Sequence, residues 1–596
     1  MHRKEKLQAI RTAMAGIGID CYIIPSSDPH QNEYIPVCWQ YRSWLSGFTG
    51  SAGTIVITAE TAGLWTDSRY FIQAEKQLEG SGIELFRLTV PHTPEHIQWI
   101  AANLPSNSVI AFDDRFFSFT SVQNMRDVLC GAGHQLSTSV DLPSPIWMDQ
   151  PSIPLNGIFN HEIEFAGVSR KEKINHVKEE MMKSSVDFHL ITTLDDIAWM
   201  LNLRGTDIRF CPFFISFCVV ATTGTHLFIN PEKIPAAVLH ELSEDSVTIH
   251  PYEAISEFLK SLPESSRILY SPDKVNHALV QSIPSHVEQK HGMNITTGLK
   301  SIKNSVELEG LKRVMVKDGI AWVKTLHWID QQIHSGGLVS EWSVAEKIAE
   351  FRSFQPEYQG ESFHPISSYG WHGAVVHYSV TPSESLDLLP EGIFLLDSGG
   401  HYSDGTTDTT RTITLSTPDS QQKSDFTRAL KGTLGVSMLR FPKGTKGFQM
   451  DILARKALWD IGLNYGHGTG HGVGFFLSVH EGPQTIGTSA SGYLNISFEP
   501  GMVTTVEPAI YREGRYGMRT ENMTVVIEDT VNEFGTFYRF ETLTLAPLDT
   551  NLIEKGLLSD EELRWLNNYQ QRVYDELANF LTIEERIWLK EITKPI

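Results

Sequence analysis

Four carboxylates and a run of histidines in the second half of the chain carry its chemistry. In DSGGHYSDGTTDTTRT, Asp397 ends the apolar run GIFLL and Asp408 precedes the run TRTITLS. Two carboxylates eleven positions apart then face each other across a close pair of strands. Asp, Ser and Gly also build ordinary turns, because their side chains bond nearby backbone and tolerate unusual dihedrals, so this segment alone leaves both readings open. Asp404, in the same turn, is assigned to local turn chemistry. The stretch GMVTTVEPAIYREGRYGMRTENMTVVIED repeats the design. One strand ends at Glu507, a glycine-bearing turn follows, and Glu521 begins a second strand fourteen positions on. One carboxylate pair from each half makes a pseudo-twofold arrangement of hairpins.

Between the pairs, YGHGTGHGVGFFLSVHEGP holds His467, His471 and His480. The first two have the i, i+4 spacing of helical zinc motifs, but glycine alternates through them, and each glycine costs a helix about 1 kcal/mol relative to alanine. The glutamate of a helical HExxH site is also missing. Glycine at this density instead lets backbone approach a metal shell, a substrate or another strand closely. Four carboxylates converging in an apolar interior require cations, because buried like charges repel and isolated buried ions are costly. Two divalent ions resolve the conflict; an oxygen-rich set with one imidazole suits Mn²⁺, Co²⁺, Fe²⁺ or Zn²⁺ and leans toward Mn²⁺. Such a pair, about 3.5–4 Å apart, shares carboxylates and a bridging hydroxide that acts as nucleophile at neutral pH.

The elements that must position these groups follow from the rest of the chain. At 596 residues it exceeds a single core, and 41% hydrophobic with 20% charged residues is ordinary globular composition. Acidic residues outnumber basic ones by 71 to 49, a formal charge of -22 that repels phosphate backbones and argues against nucleic-acid partners. No apolar run spans a bilayer and the first residues read as an amphipathic helix entering a strand, so a cytoplasmic protein without a membrane partner is expected. Five cysteines without CxxC spacing fit buried thiols in a reducing compartment. KLQAIRTAMAGIGIDCYIIPSSDPH and KINHVKEEMMKSSVDFHLITTLDDIAWMLNLRG share a helix-strand order and read as diverged copies of one unit. The expected fold class is α/β (α+β): α/β domains over 1–156 and 157–303, a catalytic domain over 304–545, and a helical extension over 546–596 packed on it.

These stretches resemble the pita-bread metallopeptidases, and within them the large, three-domain aminopeptidase P (Xaa-Pro aminopeptidase) family. LLDSGGHYSDGTTDTTRT, HGTGHGVGFFLSVHEGP, TTVEPAIY and RTEN carry the likeness, which extends through PSSDPHQNEYI, LWTDSRYF, LDDIAWMLNLRG, KNSVELEG and WLNNYQQRVYDEL. The resemblance implies that Asp397, Asp408, His471, Glu507 and Glu521 are metal ligands, with Asp408 and Glu521 bridging. It makes His377 a substrate-binding group near the scissile carbonyl, His480 a stabiliser of the tetrahedral intermediate and His467 a lining of the proline pocket. It makes Arg69 a substrate contact from the first domain and Arg519 a partner of a ligand carboxylate. A homodimer through the catalytic domain is likewise implied.

The expected activity is removal of the first residue from peptides with proline at position two. Prolidase and a non-catalytic pita-bread binding protein are the alternatives; the three-domain length argues against the first and the complete ligand set against the second. Trp371, His372, Val506 and Ala509 depart from common family patterns near the cleft. His372 and His401 are read as surface or loop polar groups, and Met502 and Met518 as core.

Overall fold

A computed structural model describes residues 1–90, 93–488 and 495–596. The opening helix, Arg3–Gly16, buries Leu7, Ile10 and Met14, three and four residues apart, and leads into the fully buried strand Cys21–Ile24. Across its sheet the order is Glu84–Arg87, Ala62–Thr66, Thr54–Thr58, Cys21–Ile24, Val109–Ala111, Gln135–Ser137. Antiparallel pairing joins Cys21–Ile24, Thr54–Thr58 and Ala62–Thr66, and parallel pairing adds the other three. The second sheet runs Val247–His250, Gly224–Phe228, Phe217–Ala221, Phe188–Ile191, Arg267–Tyr270, Glu288–His291. Strand for strand, order and pairing direction repeat the first sheet. The two helix-strand patterns of the sequence are thus two copies of one architecture.

Those copies form one compact unit, Met1–His161 with Val168–Thr297. Buried polar contacts join them. The imidazole of His277 meets Asp114 at 2.7 Å, and His30 bonds the Thr192 carbonyl and the Tyr252 hydroxyl at 2.9 Å each. Burial drives the His30 pKa down to about 3, which holds the ring neutral between its two partners.

The second unit comprises Glu162–Gly167 and Gly298–Ile596. Its long helix Ser305–Ser335 starts in a capping box between Asn304 and Glu307 and ends at Gly336 in the left-handed region. This helix corrects the reading of Asp404. That carboxylate is buried and pairs with Lys317 at 2.9 Å and Arg313 at 3.3 Å, so it ties the turn to the helix instead of serving the turn locally. In the carboxy-terminal extension, helix Asp560–Leu577 buries Leu566, Tyr569, Val573 and Leu577, and Ser559 caps it as its sequence suggests. Lys324 to Glu585 at 2.9 Å and Lys431 to Glu562 at 2.6 Å fasten the extension to the rest of the unit. Four cysteines are buried, but Cys130 is exposed, contrary to the expectation for all five. Among the described residues no helix is long and apolar enough to cross a membrane.

Candidate metal centre

Strand pairing brings the carboxylates together. Ile393–Ser398 runs antiparallel to Thr409–Thr414, with Asp397 opposite Thr410. Asp408 lies two residues before Thr410, so the period of two puts it on the same face, diagonal to Asp397. Val503–Val506 runs antiparallel to Asn522–Asn532 with Val506 opposite Asn522, which sets Glu507 and Glu521 side by side just past that pair. Each half inserts a small hairpin between its two carboxylates: Gly400–Tyr402 with Gly405–Thr406, and Ala509–Arg512 with Tyr516–Arg519. The halves are joined at the site itself. The Glu521 amide donates to the Thr410 carbonyl at 3.2 Å, and the Thr410 hydroxyl donates to Glu521 Oε2 at 2.7 Å.

The glycine-rich segment supplies the imidazole. Gly470–His471 forms a short strand, not a helix. A Cβ on Gly470 would overlap the Thr505 carbonyl oxygen, and one on Gly472 the Glu481 carbonyl oxygen. The close neighbour that glycine permits here is therefore other backbone. His471 Nδ1 donates to the Gly472 carbonyl at 3.0 Å, which leaves the Nε2 lone pair facing Asp408 Oδ2 at 3.4 Å and Glu507 Oε1 at 3.7 Å. Ligand atoms of Asp408, His471 and Glu521 all lie within 4.8 Å of one another.

The electrostatics identify what the cluster lacks. Burial, reinforced by neighbouring carboxylates, pushes Asp408, Glu507 and Glu521 well above the usual carboxylate range. One guanidinium enters: Arg519 donates to Asp397 Oδ2 at 2.6 Å, to the Thr410 hydroxyl at 3.0 Å and to the Tyr511 hydroxyl at 2.6 Å. Burial opposes the charge of Arg519, but Tyr511 and the carboxylates around it outweigh that cost and raise its pKa. The other oxygen of Asp397, Oδ1, is buried and has no hydrogen-bond partner among the described residues. Buried carboxylates in excess, an orphaned oxygen and a correctly oriented imidazole fit hard divalent cations.

Two other predicted site residues, His467 and His480, border this cluster. His467 Nε2 meets the Tyr511 hydroxyl at 2.9 Å, and its Nδ1 lies 3.9 Å from Glu507. His480 is exposed and stands edge-on to His471, ring centroids 4.4 Å apart. His377 is partly buried in the loop after the turn Gly370–Ala374. Arg69 belongs to the amino-terminal unit, where it makes a two-point ion pair with Asp67, 2.8 and 2.7 Å, and lies over the Tyr70 ring.

His372 and His401, read as surface or loop polar groups, are both buried; His372 lies in the turn Gly370–Ala374 and His401 in the strand Gly400–Tyr402. His372 Nδ1 bonds the Glu341 carboxylate at 2.8 Å, and His401 bonds the Thr406 hydroxyl at 3.0 Å across its hairpin. A distant carboxylate and a cross-strand hydroxyl satisfy them, and no local spacing announces either. Met502, Met518, Val506 and Ala509 are core. Sequence reasoning overlooked Tyr511, which links Arg519 to His467. The signal was the hairpin register: Ala509 pairs with Arg519, so Tyr511, two residues on, shares its face.

Comparison with known proteins gives a consistent picture. A model of metallopeptidase family M24 matches residues 309–528, and one of the C-terminal region of M24 peptidases matches 536–596. Models of the Creatinase/Prolidase N-terminal domain match 6–145 and 149–307. Aminopeptidase P2 of Arabidopsis thaliana is 36% identical over 99% of this chain and 88% of its own. The probable Xaa-Pro aminopeptidase P of Coprinopsis cinerea is 36% identical over 99% of this chain and 98% of its own. The X-prolyl aminopeptidase of Caenorhabditis elegans, described as a cytosolic enzyme with a di-nuclear active site, superposes with a TM-score of 0.95 over 100% of both chains at 33% identity.

Proposed function

The chain belongs to the Xaa-Pro aminopeptidases of metallopeptidase family M24, and from that premise we propose that it is a cytosolic, metal-dependent enzyme releasing the first residue of peptides with proline at position two. The observation that carries this reading is the imbalance of charge at the site, where three buried carboxylates and the partly buried Glu507 meet one guanidinium. Asp397, Asp408, His471, Glu507 and Glu521 would hold two divalent ions, with Asp408 and Glu521 shared. The donor set, mostly hard oxygen with a single imidazole, favours Mn²⁺. Bound there, the ions would supply Lewis acidity and lower the pKa of water for peptide-bond hydrolysis.

The chain's own groups divide the remaining work. Arg519 holds Asp397 through one oxygen and leaves the other for the metal side. Tyr511, its hydroxyl pushed up to about 12 by burial, stays protonated between Arg519 and His467. His480, exposed beside His471, is the group that donates an N–H to the developing oxyanion. His377 binds the substrate near its scissile carbonyl, and His467 lines the slot for the proline ring. Once bonded, proline leaves the scissile nitrogen without an N–H, so recognition of position two falls to shape. Arg69 is carried as a substrate contact from the amino-terminal half, and the active form as a homodimer through the catalytic domain.

The test is product analysis by mass spectrometry with manganese-loaded enzyme on Arg-Pro-Pro-Gly-Phe, its alanine-at-two analogue and the dipeptide Ala-Pro. Release of arginine from the first alone is expected. Cleavage confined to the dipeptide would replace this reading with prolidase. Sedimentation velocity checks the dimer.

A further inference from the structure

Behind the carboxylate cluster lies a second guanidinium whose partners come from three parts of the chain. Arg411, on strand Thr409–Thr414, is 1% exposed. Its Nη1 donates to the carbonyl oxygens of Thr410 at 2.8 Å and Glu521 at 2.7 Å. Its Nη2 donates to Asn522 Oδ1 at 2.8 Å, the Ala546 carbonyl at 2.8 Å and the Tyr569 hydroxyl at 2.7 Å. Each of these partners is a neutral oxygen, an unusual setting for a buried charge, which burial works to discharge. What the guanidinium gains is position: it bolts the backbone at Thr410, beside Asp408 and Asp397, to the backbone of Glu521. It therefore spans the junction of the two carboxylate-bearing strand pairs.

The last of its partners belongs to the carboxy-terminal extension. Tyr569 sits mid-helix in Asp560–Leu577, buried, with its ring stacked on Trp565. Its hydroxyl donates to the Ala546 carbonyl at 2.9 Å and accepts from Arg411. Removing that oxygen leaves the buried guanidinium with one acceptor fewer and frees the Ala546 carbonyl of one donor.

We propose that Arg411 and Tyr569 are positioning residues for the metal-binding carboxylates, and that the carboxy-terminal helix is for this reason a working part of the metal centre. The inference rests on the dinuclear reading above. A merely structural helix would affect folding stability alone; a positioning one sets the geometry in which Glu521 and Asp408 meet cations.

The neighbouring Gln570 provides the control. It is buried on the same helix and bonds the backbone of Leu548 and the Ile592 carbonyl, none of which is a partner of Arg411. Full-length protein, Tyr569→Phe and Gln570→Met are stripped and titrated with Co²⁺, reading visible absorption, bound stoichiometry and Tm. Tyr569→Phe is expected to fold, to bind Co²⁺ at least about tenfold more weakly and to show an altered absorption spectrum. Gln570→Met is expected to lose Tm while titrating as the parent does. Arg411→Lys, which keeps the charge but not the fork, should follow Tyr569→Phe. Parental affinity and spectrum in Tyr569→Phe would overturn the inference, as would losses in both helix variants that merely follow Tm. Absence of Co²⁺ uptake by the parent would overturn the dinuclear reading first and this inference with it.

Discussion

Two buried charge clusters meet on the strand Ile393–Ser398, and they solve opposite problems. Asp397 faces the carboxylate cluster, while Ser398, its neighbour, points the other way and contacts Arg352. Arg352 is fully buried and pairs with Asp318 and Glu361, both at 2.7 Å. The Tyr402 hydroxyl donates to Asp318, and that of Tyr358 to Glu361. Around Arg352 the protein supplies its own counter-charge and hydrogen bonds. Around Asp397 it supplies one guanidinium for four carboxylates. Adjacent residues thus separate a completed ion network from one built to be completed by something else.

The comparison predicts opposite responses to removal of one carboxylate. Asp408→Asn should reduce kcat/KM at least about a thousandfold, since an interaction worth several kcal/mol in the transition state is lost. Yet its metal-free form should melt no lower than the metal-free parent, because one buried like charge has gone. Steady-state kinetics and calorimetry of both forms check this; a large fall in metal-free Tm would erase the distinction between the clusters. Asp318→Asn should do the reverse and cost about 3–5 kcal/mol in urea unfolding, because it strips Arg352 of a buried partner.

Metal withdrawal sharpens the contrast. Dialysis against a chelator should abolish activity, and restoring ions at about 100 times Kd should add about 2.7 kcal/mol of stability to the parent for each ion bound. Asp408→Asn should show little of that gain in the same unfolding experiment. A smaller loss, about 10- to 100-fold in kcat/KM or metal affinity, is expected for Arg519→Lys, which keeps the charge but cannot bond Asp397, Thr410 and Tyr511 together. Asp404→Asn should matter least. Asp404 is itself buried, but its partners Lys317 and Arg313 have side chains 15% and 52% exposed, so water can solvate the charges left behind and the stability cost should fall below that of Asp318→Asn. Parental kcat/KM in that variant checks that Asp404 lies outside the reaction.

Much of the site could be read before any coordinates. Asp397, Asp408, Glu507 and Glu521 stand at the ends of apolar runs, where strand periodicity and turn residues are local signals. The duplicated helix-strand pattern likewise announced two α/β copies, because each copy carries its own core-facing periodicity. The roles of Asp404, His372 and Tyr511 were not legible in that way. Asp404 looks like a turn aspartate until the helix Ser305–Ser335 brings Lys317 to it, and His372 looks like a loop residue until Glu341 closes on it.

By itself the sequence determined the chemical inventory: which residues carry charge, which runs are strands, and where glycine leaves room for backbone. These depend on side-chain type and on spacings of a few residues. Only the tertiary structure decided which charges are neutralised. Asp318, Arg352, Glu361 and Tyr402 lie apart along the chain, as do Arg411, Glu521 and Tyr569, and only the folded chain brings each set together. The energy of a buried charge depends on everything within a few ångströms in space, and separation along the chain does not encode that.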